Sequence, residues 1–261
     1  MSLPKARRNS LGILFAINFP EENLSKQVSD KFIKPFEDMI SLQKETDYCV
    51  VMLDDYNVVK WKTNVIENDK DKVIRLLKLT RCKVIIFGTC ILGGEQEDLK
   101  CKLTLGAGIA PIELDEKRSA LLSNDITNVF MPIRDIEIMK CSETKDFEKI
   151  STQLKYAFLY VLASTALLCG KFKEARERFL KLNKELSFEK RNIPAINDIK
   201  AVVVSRLQAS CLFVAASIYS KFVDSYDFSY LDDFKAIMES SKEYIYDTVD
   251  YMNALSLCRA C

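Results

Sequence analysis

The rhythm of apolar and polar positions changes near residue 143. Before that point the apolar runs are short and separated by turn residues. Leu11 to Phe19 (LGILFAINF) is almost continuously apolar and predicts a buried strand that Pro20 ends. From Asn23 onward Leu24, Val28, Phe32, Phe36, Met39 and Ile40 recur at spacings of three and four, which predicts an amphipathic helix that Pro35 kinks or divides. Tyr48 to Leu53 predicts a second strand, closed by Asp54 and Asp55. Asn68 or Asp69 can cap a helix through Leu79, and Lys83 to Leu92 (KVIIFGTCIL) carries the strongest strand signal in the chain. Gly93 to Asp98 reads as a hairpin turn into Leu99 to Leu105, where Leu99, Cys101, Leu103 and Leu105 alternate onto one face. Strand-like stretches follow near Ile109 to Leu114 and Val129 to Ile138. Residues 1–143 therefore read as an α/β domain, a mixed sheet with flanking helices.

Beyond that point the pattern is helical. Phe147 to Cys169, Lys171 to Leu186, Ile196 to Phe222, Leu231 to Tyr246 and a terminal segment to Cys261 each suit a long helix, so residues 144–261 read as an all-α domain. Six of the seven glycines lie in the first 108 residues, as strands and turns require; the seventh, Gly170, separates two helices as a tight turn. Gly170-Lys171-Phe172-Lys173-Glu174-Ala175 with Phe179 supplies a turn glycine, an aromatic to pack beneath it, a small residue at a helix contact and a large apolar residue beyond. With Leu159, Leu162 and Ala163 in register ahead of it, this segment resembles the second half of a tetratricopeptide repeat. Ala166 stands where that repeat carries an aromatic and Ser187 where it carries proline. An ordinary helical bundle meets the same packing demands.

In the first half, Ile13 to Ser25 (ILFAINFPEENLS) and Val84 to Leu105 (VIIFGTCILGGEQEDLKCKLTL) resemble the TolB N-terminal-like domain, which occurs beside tetratricopeptide repeats. Phe19-Pro20 stands at its strand-ending corner, and Gly88 with Gly93-Gly94 at its later glycine and hydrophilic hairpin. The resemblance implies a non-catalytic module that works through protein contacts.

Composition narrows the chemistry. The chain has no histidine, which removes Ser-His and Cys-His nucleophile pairs, imidazole acid-base catalysis and His-containing zinc sites. Thirty-eight basic against 37 acidic residues give no global field toward nucleic acid or an anionic membrane. Nine scattered cysteines suit reduced thiols used as small core residues. Lys5, Arg7 and Arg8 before an apolar run superficially resemble an export signal, but the run is short, Asn18 interrupts it and Pro20-Glu21-Glu22 follows. Ala201 to Phe222, the richest apolar run, contains Arg206, Gln208 and Lys221, against a membrane span. The expectation is a cytoplasmic protein.

Individual motifs add little chemistry. Gly106-Ala107-Gly108 and Gly88 to Gly94 fail the dinucleotide and P-loop patterns and read as turn or bulge glycines. Asp54 and Asp55 follow a strand, where an open α/β sheet places ribose or metal ligands, but a solvated turn is the favoured reading of the pair. Cys258-Arg259-Ala260-Cys261 is half a zinc site with no second half. The aromatic end from Tyr219 to Tyr251 suits core packing or protein contact better than base stacking, because Asp224, Asp227, Asp232 and Asp233 surround it. The sequence thus predicts a non-enzymatic protein-binding scaffold that needs no cofactor or metal, with self-association through the C-terminal helices as one form of partnership. The alternative is a nucleotide or small-molecule sensor at the sheet edge near Asp54, Asp55 and Gly88. A third reading is a metal-assisted hydrolase working through Asp54 or Asp55.

Overall fold

The computed structural model describes residues 3–8, 10–19, 29–41, 47–61, 69–93, 100–110, 114–130, 135–138, 144–190 and 194–245. The chain divides into two compact units, Met1–Glu113 with Ile126–Ala157, and Leu114–Asp125 with Phe158–Cys261. It is an α/β sheet domain followed by an all-α array, as the change of pattern predicts.

Among the described residues five strands make the sheet of the first unit: β1 (Leu11–Asn18), β2 (Tyr48–Met52), β3 (Cys82–Gly93), β4 (Lys100–Ile109) and β5 (Asp135–Ile138), in the order β2-β1-β3-β4-β5. β1 runs parallel to β2 and β3, whereas β4 is antiparallel to β3 and β5 to β4. Parallel neighbours need crossovers. A π-helical turn (Ser29–Ile33) and α1 (Lys34–Ser41) lie between β1 and β2; α2 (Asp55–Trp61) and α3 (Lys70–Thr80) lie between β2 and β3.

The interior position of β1, between β2 and β3, explains its unbroken apolar run, since residues 12–17 are all buried. On one face Leu14, Ala16, Val51, Ile85 and Phe87 pack with Val58 of α2 and Leu76 and Leu77 of α3. On the other, Phe15 meets Phe32 and Phe36 edge-on, with centroids 6.0 and 5.3 Å apart. Pro35 is the second residue of α1, and it does divide the expected helix. Its ring nitrogen cannot bond the carbonyl four residues back, and the wider π turn immediately upstream absorbs the conflict. Asp69 caps α3 by accepting the Lys72 amide at 3.0 Å.

Two strand expectations are corrected. Val129 and Phe130 end a helix, α4 (Glu116–Phe130), and among the described residues of the Val129 to Ile138 stretch the strand is Asp135–Ile138. Asp115 starts that helix by accepting the Arg118 amide at 2.8 Å. Buried Leu122, Asp125 and Val129 then recur at helical spacing, and this packing overrides the β preference of Ile126, Thr127 and Val129. Near Ile109 the described residues hold no separate strand start: β4 runs unbroken through Gly106 and Gly108 to Ile109, and residues 111–113 of the expected stretch lie outside the described residues. These glycines sit inside a strand rather than at a turn or bulge. The Phe87 ring crosses above Gly106, where a Cβ would come within 2.5 Å of it.

The second unit holds the later part of α5 (Thr144–Leu168) with α6 (Phe172–Phe188), α7 (Pro194–Ser225) and α8 (Ser229–Ile245). Gly170 joins α5 to α6 at φ +76°; its amide bonds the Leu167 carbonyl and that of Lys171 bonds the Ala166 carbonyl, closing the helix in a Schellman turn. Tyr160 and Phe179 pack edge-on across this hairpin, and Phe172 stacks on Phe213 of α7 at 5.0 Å. α8 is tied to α7 by Gln208 Nε2 donating to the Tyr244 carbonyl, and to α6 by Arg176 donating to Ser240. The hairpin turn proper (94–99), the terminal segment beyond residue 245, and Cys258 and Cys261 lie outside the described residues.

Candidate functional site

The sheet-edge candidates are placed first. Asp54 follows β2 and turns both carboxylate oxygens onto Asn57, whose backbone amide donates to Oδ1 at 2.8 Å and whose side-chain amide reaches both oxygens at 3.0 and 3.1 Å. It is the N-cap of α2. Asp55 opens that helix, and its side chain lies outside the described residues. Gly88 is mid-strand, paired with Ile17 on β1 and Leu105 on β4. An added Cβ there would stand 2.1 Å from the Thr104 carbonyl oxygen, so the glycine admits a neighbouring backbone. β1 separates the strand that Asp54 follows from the strand that holds Gly88, a gap of two strand spacings or roughly 9.6 Å. The structure does not bring the two together. Among the described residues no group of three or more His, Cys, Asp or Glu could hold a metal ion. Cys49 and Cys82 pair with Gly12 from opposite sides, also about two strand spacings apart and beyond disulfide reach. Burial raises the Cys82 thiol above its ordinary value and keeps it protonated.

The helical unit offers more. α7 is rich in apolar residues along its length. Ile199, Val203, Leu207, Cys211, Val214 and Ile218 are buried, while Val202, Val204, Phe213 and Val223 remain 37–50% exposed. Among the described residues its span Ile196–Ser225 is the one helix long and apolar enough, by length and composition, to cross a membrane, and 39% of its apolar window is buried. Midway along it Arg206 donates from Nη2 to Asp125 Oδ1 at 2.7 Å and from Nε to the Tyr160 hydroxyl at 3.4 Å. Burial alone would lower the Arg206 pKa, but the bonds to Asp125 and Tyr160 outweigh it and hold the guanidinium above its usual value. The same burial pushes the Tyr160 hydroxyl up, against the opposing pull of Arg206. This cluster ties α4, α5 and α7 within the unit. Neither Asp125 nor Tyr160 stands out in the sequence, and Arg206 is visible only as a break in an apolar run. That break was the signal, because a charge within a core-facing helix calls for an acid.

Beside the Schellman turn, residues 170–174 and Val214, Ser217, Ile218 and Lys221 enclose a cleft of about 350 Å³. Lys171, Lys173 and Lys221 line it, and Glu174, also in the lining, is paired with Arg178 at 2.9 Å and Lys171 at 3.7 Å. No family model, curated protein or solved structure matches the chain.

Proposed function

We propose that this protein is a non-enzymatic, cytoplasmic scaffold whose tetratricopeptide-like helical array receives a protein partner, with a TolB N-terminal-like α/β module beside it. The observation that carries this reading is the apolar surface that α7 leaves open, with Val202, Val204, Phe213 and Val223 37–50% exposed. A long apolar helix is covered in its working state, and 39% of the apolar window of α7 is buried. Burying what remains exposed of Val202, Val204, Phe213 and Val223 is worth roughly 3 kcal/mol in all, enough to anchor an interface.

The hairpin sterics support the repeat reading: Gly170 is left-handed, and Ala163, Ala175 and Phe179 are fully buried where helices meet. Protein contact is favoured over a membrane because Arg206 and Gln208 sit mid-helix, bonded within the unit. Cys49, Cys82, Cys169 and Cys211 are free thiols, which supports a reducing compartment.

The test is capture of partners by the full chain in parallel with a Val202→Lys, Val204→Lys variant, both exposed positions that tolerate charge. A partner held by the natural chain and lost by the variant supports the reading. Identical capture by both counts against it.

A further inference from the structure

The corner between α7 and α8 presents aromatic rings where a turn ordinarily has glycine or asparagine. Tyr226 follows α7 at φ +53°, a left-handed conformation that disfavours residues with a bulky side chain. Its amide donates to the Phe222 carbonyl at 2.7 Å, so the turn is tight. The tyrosine is 75% exposed and gains little burial to offset the strain. Phe228, two residues on, is 65% exposed. Both rings rest on buried Phe222, with centroids 6.5 and 5.5 Å from it. Two outward rings are thus held in place by one buried ring.

Between Lys221 and Lys235 the charge along the chain has one sign. From Phe222 to Phe234 the chain carries four aspartates and no lysine or arginine, and Asp224, Asp227, Asp232 and Asp233 are all exposed. Lys221, just before, sends its ammonium toward the Tyr230 ring at 5.9 Å. The start of α8 accounts for two of these acids. Asp227 accepts the Ser229 amide at 2.9 Å, which lowers its pKa and keeps it ionised, and Asp232 lies in the first turn of α8, where the helix N-terminus favours negative charge; Asp233 stands one residue beyond it. Capping does not account for Asp224, which lies at the C-terminal end of α7 where the dipole disfavours an acid. It also leaves two exposed aromatics unexplained.

We propose that the α7–α8 corner docks a basic segment of a partner protein, arginine side chains of which lie against the Tyr226 and Phe228 rings and reach the surrounding aspartates. Guanidinium suits both halves of the site, since it is planar, stacks on aromatic faces and pairs with carboxylates through a rigid fork. The inference rests on the reading of the helical unit as a docking body, and names the chemistry of what it docks.

The test is fluorescence polarisation of the full chain with two labelled peptides, Gly-Arg-Leu-Arg-Leu-Arg-Gly and its glutamate counterpart. The arginine peptide binds, more weakly as salt is added, and the glutamate peptide does not. Tyr226→Asn with Phe228→Ser weakens binding roughly tenfold. Tyr226→Asn alone raises the melting temperature, because asparagine accepts the left-handed turn, so lost binding cannot be assigned to unfolding. Asp224→Asn with Asp232→Asn weakens binding and flattens its salt dependence. Binding by the double ring variant equal to the natural chain, or no preference for arginine over glutamate, overturns the proposal. Val202 and Val204 lie about 30 Å away along α7. Failure at the corner with loss of capture at those positions removes this site and leaves the docking role; failure of both removes the role.

Discussion

Arg206 Nη2 and Asp125 Oδ1 meet at 2.7 Å, with the carboxylate side chain 11% exposed and the guanidinium 28%. Arg206 is the one charge in α7 between Ala201 and Ser220, and it comes from a helix that is otherwise apolar at that level. The second oxygen of Asp125, Oδ2, is buried without a hydrogen-bond partner among the described residues. Removing the arginine would leave the whole carboxylate unanswered, which is the expensive way to break a buried pair. Arg206→Met is expected to lower stability in urea unfolding by about 3 kcal/mol. Arg206→Met with Asp125→Leu recovers most of that loss. A double variant no more stable than the single one would show that the pair is not what the arginine loss breaks.

Two glycines should respond differently to the same methyl group. At Gly170 nothing lies within 4 Å of an added Cβ, so Gly170→Ala meets only the conformational penalty of φ +76°, about 1 kcal/mol. At Gly88 the methyl would enter the Thr104 carbonyl, a backbone atom that cannot step aside without opening the β3–β4 ladder. Gly88→Ala should therefore cost more than about 3 kcal/mol. Chemical denaturation of the two variants checks the order, and equal losses would contradict it.

The same contrast shows what the sequence could and could not reveal. Local signals were legible: the run through β1, the break at Pro35, the cap at Asp69 and the turn at Gly170 each act over a few residues. Interactions set by the tertiary fold were not. Nothing near Gly106 announces that Phe87 crosses above it, so its glycine looked like a turn. Arg206 finds Asp125 across 81 positions of sequence, and helix α4, which carries that acid, was hidden behind its own β-branched residues. Asp54 shows the opposite difficulty. An acid just past a strand looks the same whether it awaits a ligand or caps a helix, and the presence of Asn57 three residues on is what separates the two.

Ser151 of α5 offers a third test, within the first unit. Its hydroxyl lies 2.9 Å from the Phe32 carbonyl and 2.8 Å from the Phe147 carbonyl, so a single proton is shared between them. The Phe147 carbonyl belongs to the helix and is satisfied there, whereas the Phe32 carbonyl sits at the end of the π turn, where the backbone pattern is irregular. Ser151→Ala is expected to lower stability by about 1 kcal/mol. Amide exchange in residues 32–37 should quicken more than elsewhere in the unit. Uniform exchange across the unit would mean that the bond does not hold the turn.

Tyr160 sets the direction of the alkaline response. Its buried hydroxyl ionises less readily in the folded chain than in the unfolded one, where tyrosine titrates near pH ~10. Above that pH the unfolded chain has lost a proton that the folded chain retains, so stability falls as pH rises; below it the contribution is fully present. Tyr244 is shifted the same way, by burial first and Glu243 second, and remains in any Tyr160 variant. Tyr160→Phe cannot ionise. It should therefore lose less stability than the natural chain between pH ~9 and pH ~11, even if it begins lower for want of the bond to Arg206. Urea midpoints measured across that range decide the matter, and parallel declines in the two proteins would rule out Tyr160 as the group that the fold keeps protonated.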